Sequence, residues 1–158
     1  MSVFEYNFEQ YKSLSPDLYR KEKYNLQVEL LKLQEDVIKK KRKIAICFEG
    51  RDTAGKSSTI NFFSEHLIPS NFNYVHLGIP TKKERKNWFE RYETYLPNKG
   101  QIVLFDRSWY TRALTEPTLG YCSKKQYEEF MTKVNKWEKS LVKKAVSYTH
   151  LTLPTTVF

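Results

Sequence analysis

A short glycine-containing loop after an apolar run constrains the fold of this chain more than any other feature. Residues 50–57 fit the pattern G-x-x-x-x-G-K-[ST] and follow the apolar run 44–48. In such a loop, consecutive backbone N–H groups point at phosphate oxygens, and the N-terminus of the next helix adds roughly half a positive charge. Lys56 supplies a full, mobile charge. The segment predicts a strand, a phosphate-binding loop and a helix; the alternative is an ordinary strand-to-helix turn that contains two glycines and a lysine.

A second apolar run ends in an acidic residue and supports this interpretation. Residues 102–105 are Ile-Val-Leu-Phe, and Asp106 follows them. Mg²⁺ demands oxygen ligands, and P-loop enzymes place a carboxylate at the end of a strand beside the loop. Strands also end in Asp because Asp favours turns, so the run alone is weak evidence for a metal ligand. Paired with the loop, it makes Asp106 the predicted Mg²⁺ ligand.

The order of apolar patterns predicts the fold class. Leu26, Leu30, Leu33 and Val37 recur at helical spacing and predict a leading helix at about 18–40. Apolar runs at 44–48, 74–79 and 102–105 predict strands, and helical patterns separate them. Capping boxes at 81–84 and 123–126 begin two helices, the first reaching Pro97 and the second about Val146. The alternation predicts an α/β fold with a parallel sheet that binds ligands at its carboxyl edge.

Composition limits the class of partner. The 158 residues suffice for one domain, and the formal charge of +9 favours a polyanionic partner. The basic residues could instead only keep helices soluble, as lysines at a solvated helix end do. Cys47, in a predicted strand, and Cys122, in a turn, form neither a disulfide framework nor a metal set, which favours a reducing cytosol. No run approaches the ~18 apolar residues of a membrane span, and no secretory leader is recognised.

Further segments extend the loop and the acidic strand end into a pattern that runs through most of the chain. They are Phe-Glu-Gly-Arg-Asp-Thr-Ala-Gly-Lys at 48–56, Pro-Thr at 80–81, Arg-Tyr at 91–92, Leu-Pro at 96–97 and Asp-Arg-Ser-Trp-Tyr at 106–110, with Arg112. In this order they closely resemble the polyphosphate kinase 2 family, over roughly residues 24–141. The resemblance implies a three-layer P-loop kinase-like fold, with a lid contributed by residues beyond the match.

The resemblance also implies roles for individual residues. Asp52 and Asp106 would share Mg²⁺, Lys56 would bind the transferring phosphate, and Arg107 and Arg112 would contact phosphates around it. Asp52 could instead only form hydrogen bonds within the loop. The catalytic residues expected are Asp52, Lys56, Asp106 and Arg107. The phosphate- and nucleotide-binding residues expected are Gly50, Arg51, Thr53, Ala54, Gly55, Ser57, Ser58 and Arg112.

Three positions depart from the family pattern. Ser57 and Ser58 stand where many members carry glycines, and a hydroxyl at position 57 is the ordinary P-loop choice for a magnesium contact. Thr111 occupies a place often held by asparagine. Residues 147–158 are threonine-rich and look like translated sequencing adapter. We therefore expect a domain at 1–146 that lacks its next strand, followed by a non-native tail at 147–158, with a native divergent end as the alternative.

The implied function is Mg²⁺-dependent transfer of phosphate between inorganic polyphosphate and a nucleoside mono- or diphosphate, such as ADP or GDP to ATP or GTP, or the reverse. The loop sequence Glu-Gly-Arg-Asp leans towards diphosphate acceptors by resemblance. One alternative is an ATP-dependent nucleotide or small-molecule kinase. Another is a basic nucleic-acid-binding module, although the basic residues surround no recognised binding motif. We expect a cytoplasmic protein without a membrane partner, and the sequence leaves open whether it forms a homo-oligomer.

Overall fold

The computed structural model describes residues 14–153. Its centre is a parallel sheet of four strands in the order β2-β3-β1-β4. The strands are β1 Lys43–Glu49, β2 Phe72–Val75, β3 Gln101–Asp106 and β4 Val146–Thr152. The central strands β1 and β3 are almost continuously buried, as expected for a parallel sheet that is covered on both faces. Their register pairs Phe48 with Asp106, so the loop after β1 and the acidic end of β3 lie side by side.

Helices cover both faces of this sheet. They are α1 Pro16–Lys39, α2 Lys56–Ser64, α3 Lys82–Lys86, α4 Trp88–Glu93, α5 Thr115–Thr118 and α6 Lys124–Lys143. Short 3₁₀ turns occupy Pro69–Asn71 and Trp109–Arg112. One core joins Val37 of α1 and Ile60 of α2 to the sheet, and the other joins residues of α4 and α6 to its opposite face. This arrangement confirms the predicted three-layer α/β fold. Within the described residues, no helix is long and apolar enough to cross a membrane.

Two predicted helices differ in detail from the structure. The predicted helix after residue 81 is divided at Asn87, whose backbone (φ −111°, ψ 60°) is not helical. The leading helix has nearly the predicted bounds, but Leu26 is 62% exposed while Gln34 is fully buried. Gln34 is buried because its amide accepts from Ile68 N at 2.6 Å and donates to Ile68 O at 3.0 Å. The apolar periodicity therefore identified the helix and, through Val37, part of its buried face, whereas Leu26 and Leu33 are exposed.

The C-terminal segment forms a strand where the sequence analysis expects one to be missing. Helix α6 ends at Lys143, and β4 pairs with β1 along its whole length, from Lys43 opposite Val146 to Glu49 opposite Thr152. The pairing is favoured by alternation, because Val146 is buried and the next residue, Ser147, is exposed. The boundary at 146/147 thus coincides with a strand and not with a loss of structure. The origin of the tail stays a prediction, and its last residues, 154–158, lie outside the described residues.

Candidate active site

The loop between β1 and α2 has the backbone shape of a phosphate cradle. Gly50 has φ +148°, and a Cβ there would lie 3.3 Å from Ala54 Cβ and 3.1 Å from Leu153 O, so only glycine fits. Gly55 (φ 82°) is the N-cap of α2. Thr53, a β-branched residue, also has a positive φ of 66°, which is rare. These left-handed positions turn the chain sharply before α2, so that the positive end of the helix faces the loop.

Lys56, the first residue of α2, is held inside the loop. The residue is only 8% exposed. Its Nζ donates to Gly50 O at 3.1 Å and to Arg51 O at 2.7 Å. Loop carbonyls therefore accept from two of the three protons of the ammonium group. A phosphate oxygen in the loop would compete for the same protons with a full negative charge, which makes the stronger hydrogen bond.

Asp106 ends β3 and is 5% exposed. Its Oδ2 accepts from Ser57 Oγ at 3.0 Å and from Tyr74 OH at 3.0 Å, and His76 Nδ1 is 3.6 Å away. Its Oδ1 is buried and has no hydrogen-bond partner in the described part of the chain. An ionised carboxylate oxygen without a partner is costly in a protein interior. A cation at Oδ1 would remove that cost.

Arg107 and Asp52 form an ion pair across the mouth of the site. The Arg107 guanidinium donates to Asp52 Oδ1 and, at 2.7 Å, to Thr115 Oγ1. Arg107 has φ 69°, which lets the chain reverse directly after the buried Asp106. The Asp52 side chain is 84% exposed. In this structure Arg107 neutralises the Asp52 carboxylate, and the predicted pairing of Asp52 with Asp106 stays a prediction.

Two adjoining clefts meet at this ion pair. The first has a volume of about 380 Å³ and is lined by Asp52, Thr53, Gly55, Lys56, Ser57, Ser58, His76, Asp106 and Arg107. The second, of about 640 Å³, lies between the loop, α5 and the end of β4, and Gly50, Arg51, Asp52, Thr53 and Arg107 are among its lining residues. All the predicted site residues except Ala54 and Arg112 therefore line these two clefts. Ala54 belongs to the same loop and lies next to Gly50.

The structure does not place Arg112 where the sequence analysis expects it. Arg112 is 1% exposed and is not among the residues lining either cleft. Its guanidinium forms an ion pair with Glu116 at 3.2 Å, lies 4.0 Å from the centre of the Trp88 ring and donates to Arg85 O at 3.2 Å. Burial raises the pKa of the Glu116 carboxyl, while the Arg112 charge opposes that rise. In this structure Arg112 thus stabilises the packing behind the site and does not reach into it.

Buried hydrogen bonds fix the chain after Asp106. Ser108 donates through its backbone N at 2.8 Å, and through its hydroxyl, to Glu49 Oε1. Tyr92 OH donates to Ser108 O at 2.9 Å, and Trp109 Nε1 donates to Glu138 Oε1 at 2.9 Å. Ser108 and Trp109 of the motif are therefore held by buried contacts, which fix the chain directly after Arg107.

Sequence reasoning missed two groups at Asp106. Tyr74 and His76 lie two positions apart near the end of β2, on the same face, and both approach Asp106 Oδ2. The sequence does place Tyr74 and His76 at alternate positions of an apolar run, which puts them on one face of a strand. That pattern indicates a contact with Asp106 only when β2 is known to lie beside β3. Burial and the hydrogen bond to Asp106 raise the pKa of Tyr74, so its phenol is a neutral donor.

The donor set fits one particular kind of metal ion. Among residues 14–153, no three His, Cys, Asp or Glu side chains come together as a metal cluster. What the site offers is the free Oδ1 of Asp106 and the hydroxyl of Ser57 beside a phosphate loop. Mg²⁺ uses few protein oxygens and completes its shell with water and substrate phosphates. The residues present thus fit Mg²⁺ better than a metal that needs a full set of protein ligands.

Comparison with known proteins identifies the family of this chain. The family model described as polyphosphate kinase 2 matches residues 13–154. A GDP-polyphosphate phosphotransferase of Mycolicibacterium smegmatis is 47% identical over 134 residues, which are 84% of this chain and 47% of that protein. An ADP-polyphosphate phosphotransferase of Pseudomonas aeruginosa is 43% identical, over 84% of this chain and 44% of its own length.

A solved structure gives the same result for the fold. A crystal structure from Pseudomonas aeruginosa assigned to polyphosphate kinase 2 superimposes with a TM-score of 0.81 at 27% identity, covering 94% of this chain and 32% of the other. The chain spans about half the length of the curated relatives it matches. Because the family model covers every described residue, the chain belongs to the polyphosphate kinase 2 family.

Proposed function

We propose that this chain carries the phosphate-transfer centre of a Mg²⁺-dependent enzyme that moves phosphate between inorganic polyphosphate and a nucleoside diphosphate, ADP or GDP. One observation carries the proposal: Lys56 and the unpartnered Oδ1 of Asp106 belong to one cleft, and a second cleft joins it at the Asp52–Arg107 pair. Two clefts that share a charged junction suit two phosphate-bearing substrates that meet end to end.

The reaction needs alignment and charge neutralisation more than acid–base chemistry. A terminal phosphate oxygen of the diphosphate forms a bond to the terminal phosphorus of the polyphosphate. The bond from that phosphorus to its bridging oxygen breaks, and the shortened polyphosphate leaves with the electron pair. The nucleophile is already anionic near neutral pH, so no strong base is required. Positioning and electrostatic stabilisation supply most of the catalysis in such transfers.

The side chains at the junction divide this task. Lys56 would leave Gly50 O and Arg51 O and donate to the migrating phosphoryl group. Arg107, anchored by Thr115, would donate to phosphate oxygens from the other side once Asp52 is engaged elsewhere. The backbone N–H groups of the loop would hold the non-migrating phosphates. Bound Mg²⁺, held by Asp106 and Ser57 and shared with Asp52, would neutralise charge on the phosphates.

Further parts of the proposal concern the location of the protein, its nucleotide acceptor and its partners. Cys47 and Cys122 are both free thiols, which agrees with the cytosolic location expected from the sequence. Because one relative is named for GDP and another for ADP, the proposal includes both nucleotides as acceptors. We expect neither a nucleic-acid nor a membrane partner.

The test is a product analysis with the donor varied. The chain would be incubated with Mg²⁺, long-chain polyphosphate and, separately, ADP, GDP or AMP, and the nucleotides would be separated by ion-exchange chromatography. The proposal predicts ATP or GTP that appears only with polyphosphate and Mg²⁺ together. A parallel incubation with ATP as the sole donor tests the ordinary kinase alternative. Phosphorylation with ATP and none with polyphosphate would overturn the proposal.

A further inference from the structure

Tyr74 lies outside every motif in the chain and still contacts the buried carboxylate of the site. Its hydroxyl donates to Asp106 Oδ2 at 3.0 Å, from the edge strand β2. Half of the residue is exposed, and its backbone is paired with Leu104 in β3. Leu104 packs with Ile60 of α2, so Tyr74 lies on the face of the sheet that α2 covers. Ser57 reaches Asp106 from that same helix.

The hydroxyl groups of Ser57 and Tyr74 both donate to Oδ2 of Asp106, and neither donates to Oδ1. Ser57 Oγ and Tyr74 OH both lie 3.0 Å from Oδ2, whereas Oδ1 is buried without a hydrogen-bond partner among the described residues. Two donors on the same oxygen fix the rotation of the carboxylate group about its Cβ–Cγ bond. A single donor would leave that torsion freer, because terminal carboxylate torsions are broad. The orientation matters because only Oδ1 retains all its lone pairs for a cation.

We propose that Tyr74 is a positioning residue for the divalent cation, which it serves by holding Asp106 so that Oδ1 is the metal-binding oxygen. Ser57 has one hydroxyl proton and gives it to Oδ2, which leaves its oxygen lone pairs for the same cation. Tyr74 donates to the same oxygen from β2 and is not itself among the residues that line the first cleft. The inference rests on the proposed function only in requiring a divalent cation at Asp106.

The test measures metal affinity apart from catalysis. Mn²⁺ would replace Mg²⁺ as a paramagnetic probe, and free Mn²⁺ would be followed by electron paramagnetic resonance during titration of the whole chain. Tyr74→Phe removes the hydroxyl and keeps the ring. Tyr95→Phe is the matched control, because Tyr95 is 45% exposed and borders the same surface groove as Tyr74. Asp106→Asn removes the carboxylate charge and reports whether the ion binds there.

We expect the Mn²⁺ dissociation constant to rise about tenfold in Tyr74→Phe, the order of effect of one hydrogen bond to a charged group. In Tyr95→Phe the dissociation constant should stay within about twofold of that of the unmodified chain. In Asp106→Asn it should rise more than in Tyr74→Phe. The Mn²⁺-induced increase in thermal midpoint should shrink in the same order, which a purely structural role of Tyr74 would not produce.

Equal Mn²⁺ affinity in Tyr74→Phe and the unmodified chain would overturn the positioning role. Unchanged affinity in Asp106→Asn would also overturn it, since the ion would then bind elsewhere. The phosphotransfer assay separates this inference from the proposed function. Weaker Mn²⁺ binding in Tyr74→Phe, in a chain that never uses polyphosphate, supports the positioning role and contradicts only the proposed function.

Discussion

Lys56 donates a hydrogen bond to the carbonyl oxygen of Gly50 at 3.1 Å, so the cation of the loop is held by the loop itself. Gly50 begins the turn and Lys56 begins the helix, and the bond joins the two ends of the cradle. The bond shows how a buried ammonium is kept close to the anion site without a permanent carboxylate partner. A carboxylate there would compete with phosphate, whereas a carbonyl gives way to it.

Lys56→Ala should abolish phosphate transfer and leave the fold intact. The ammonium would act mainly in the transition state, and removing such a contact costs on the order of 10²-fold or more in rate. Stability should change little, because the two carbonyl oxygens freed in the variant can accept from water. The measurements are polyphosphate-dependent ATP formation and the thermal midpoint, with the exposed Lys139→Ala as control. Near-normal turnover in a folded Lys56→Ala variant would contradict the role.

Asp106→Asn and Asp52→Asn should both raise the Mg²⁺ concentration needed for half-maximal activity, and Asp106→Asn should raise it more. Asp106 is buried and has a free oxygen, whereas the Asp52 side chain is 84% exposed and paired with Arg107. The effect of the double variant should be smaller than the sum of the two single effects, because residues that hold one ion act as a unit. A Mg²⁺ titration of activity checks this. An unchanged midpoint in both single variants would refute shared coordination.

The fold and the main residues of the candidate site could be predicted because they depend on local patterns. The loop, the acidic strand end and the capping boxes at Thr81 and Ser123 are each encoded within a few residues. The place of Arg112 could not be predicted, because it depends on Glu116 and Trp88 approaching the guanidinium in three dimensions. The contacts of Tyr74 depend likewise on which strand lies beside β3.

The prediction of which α1 residues are buried was partly wrong for a related reason. Apolar spacing assumes that leucines face the core, yet Gln27 and Gln34 do so here, because α2 and the residues after it present backbone carbonyls to α1. Buried amides that satisfy backbone groups carry no periodic signal in the sequence.

Polyphosphate affinity should fall steeply with added salt. A chain with a formal charge of +9 can neutralise several phosphates and release their counterions, as basic proteins do on nucleic acid. Binding measured at several salt concentrations, with long and short polyphosphate, tests this expectation. A flat response to salt with long chains would show that the excess positive charge lies away from the binding surface.

Glu84→Gln should lower the thermal midpoint near pH 7 and have a smaller effect in acid. Hydrogen bonds from Thr81, chiefly the backbone N–H, and the Arg91 charge hold the pKa of Glu84 below its usual value. A carboxyl with a lowered pKa in the folded state stabilises the protein above its unfolded-state pKa, and the contribution is lost as the pH falls through the folded-state pKa.

The effect at pH 7 should be about 1 kcal/mol or less, because water screens the 36% exposed Glu84 side chain even though Arg91 is buried. Glutamine keeps the capping box, so only the charge is removed. Thermal unfolding from pH 7 down to about pH 3 checks the sign, with the exposed Glu90→Gln as control. A difference in thermal midpoint between Glu84→Gln and the unmodified chain that grows as the pH falls would contradict the stabilising role of the Glu84 charge.

Arg112→Ala should mainly destabilise the fold, whereas Arg107→Ala should mainly reduce activity. Arg112 and Glu116 are 1% and 3% exposed, and removing one partner leaves the other as an uncompensated buried charge. Breaking such a pair costs about 3 kcal/mol or more, roughly 10 °C in thermal midpoint for a domain of this size. Arg107 lines both clefts, so its loss should reduce transfer while the buried Glu49–Ser108 contact keeps the chain in place.

A double variant separates the two effects of Arg112. Adding Glu116→Gln to Arg112→Ala removes the stranded carboxylate charge and should recover part of the lost stability, since the two side chains form one buried unit. Turnover would be measured well below the midpoint of each variant. If Arg112→Ala kept its midpoint but lost polyphosphate affinity, Arg112 would turn toward the substrate on binding, and the phosphate contact inferred from the sequence would be the correct one.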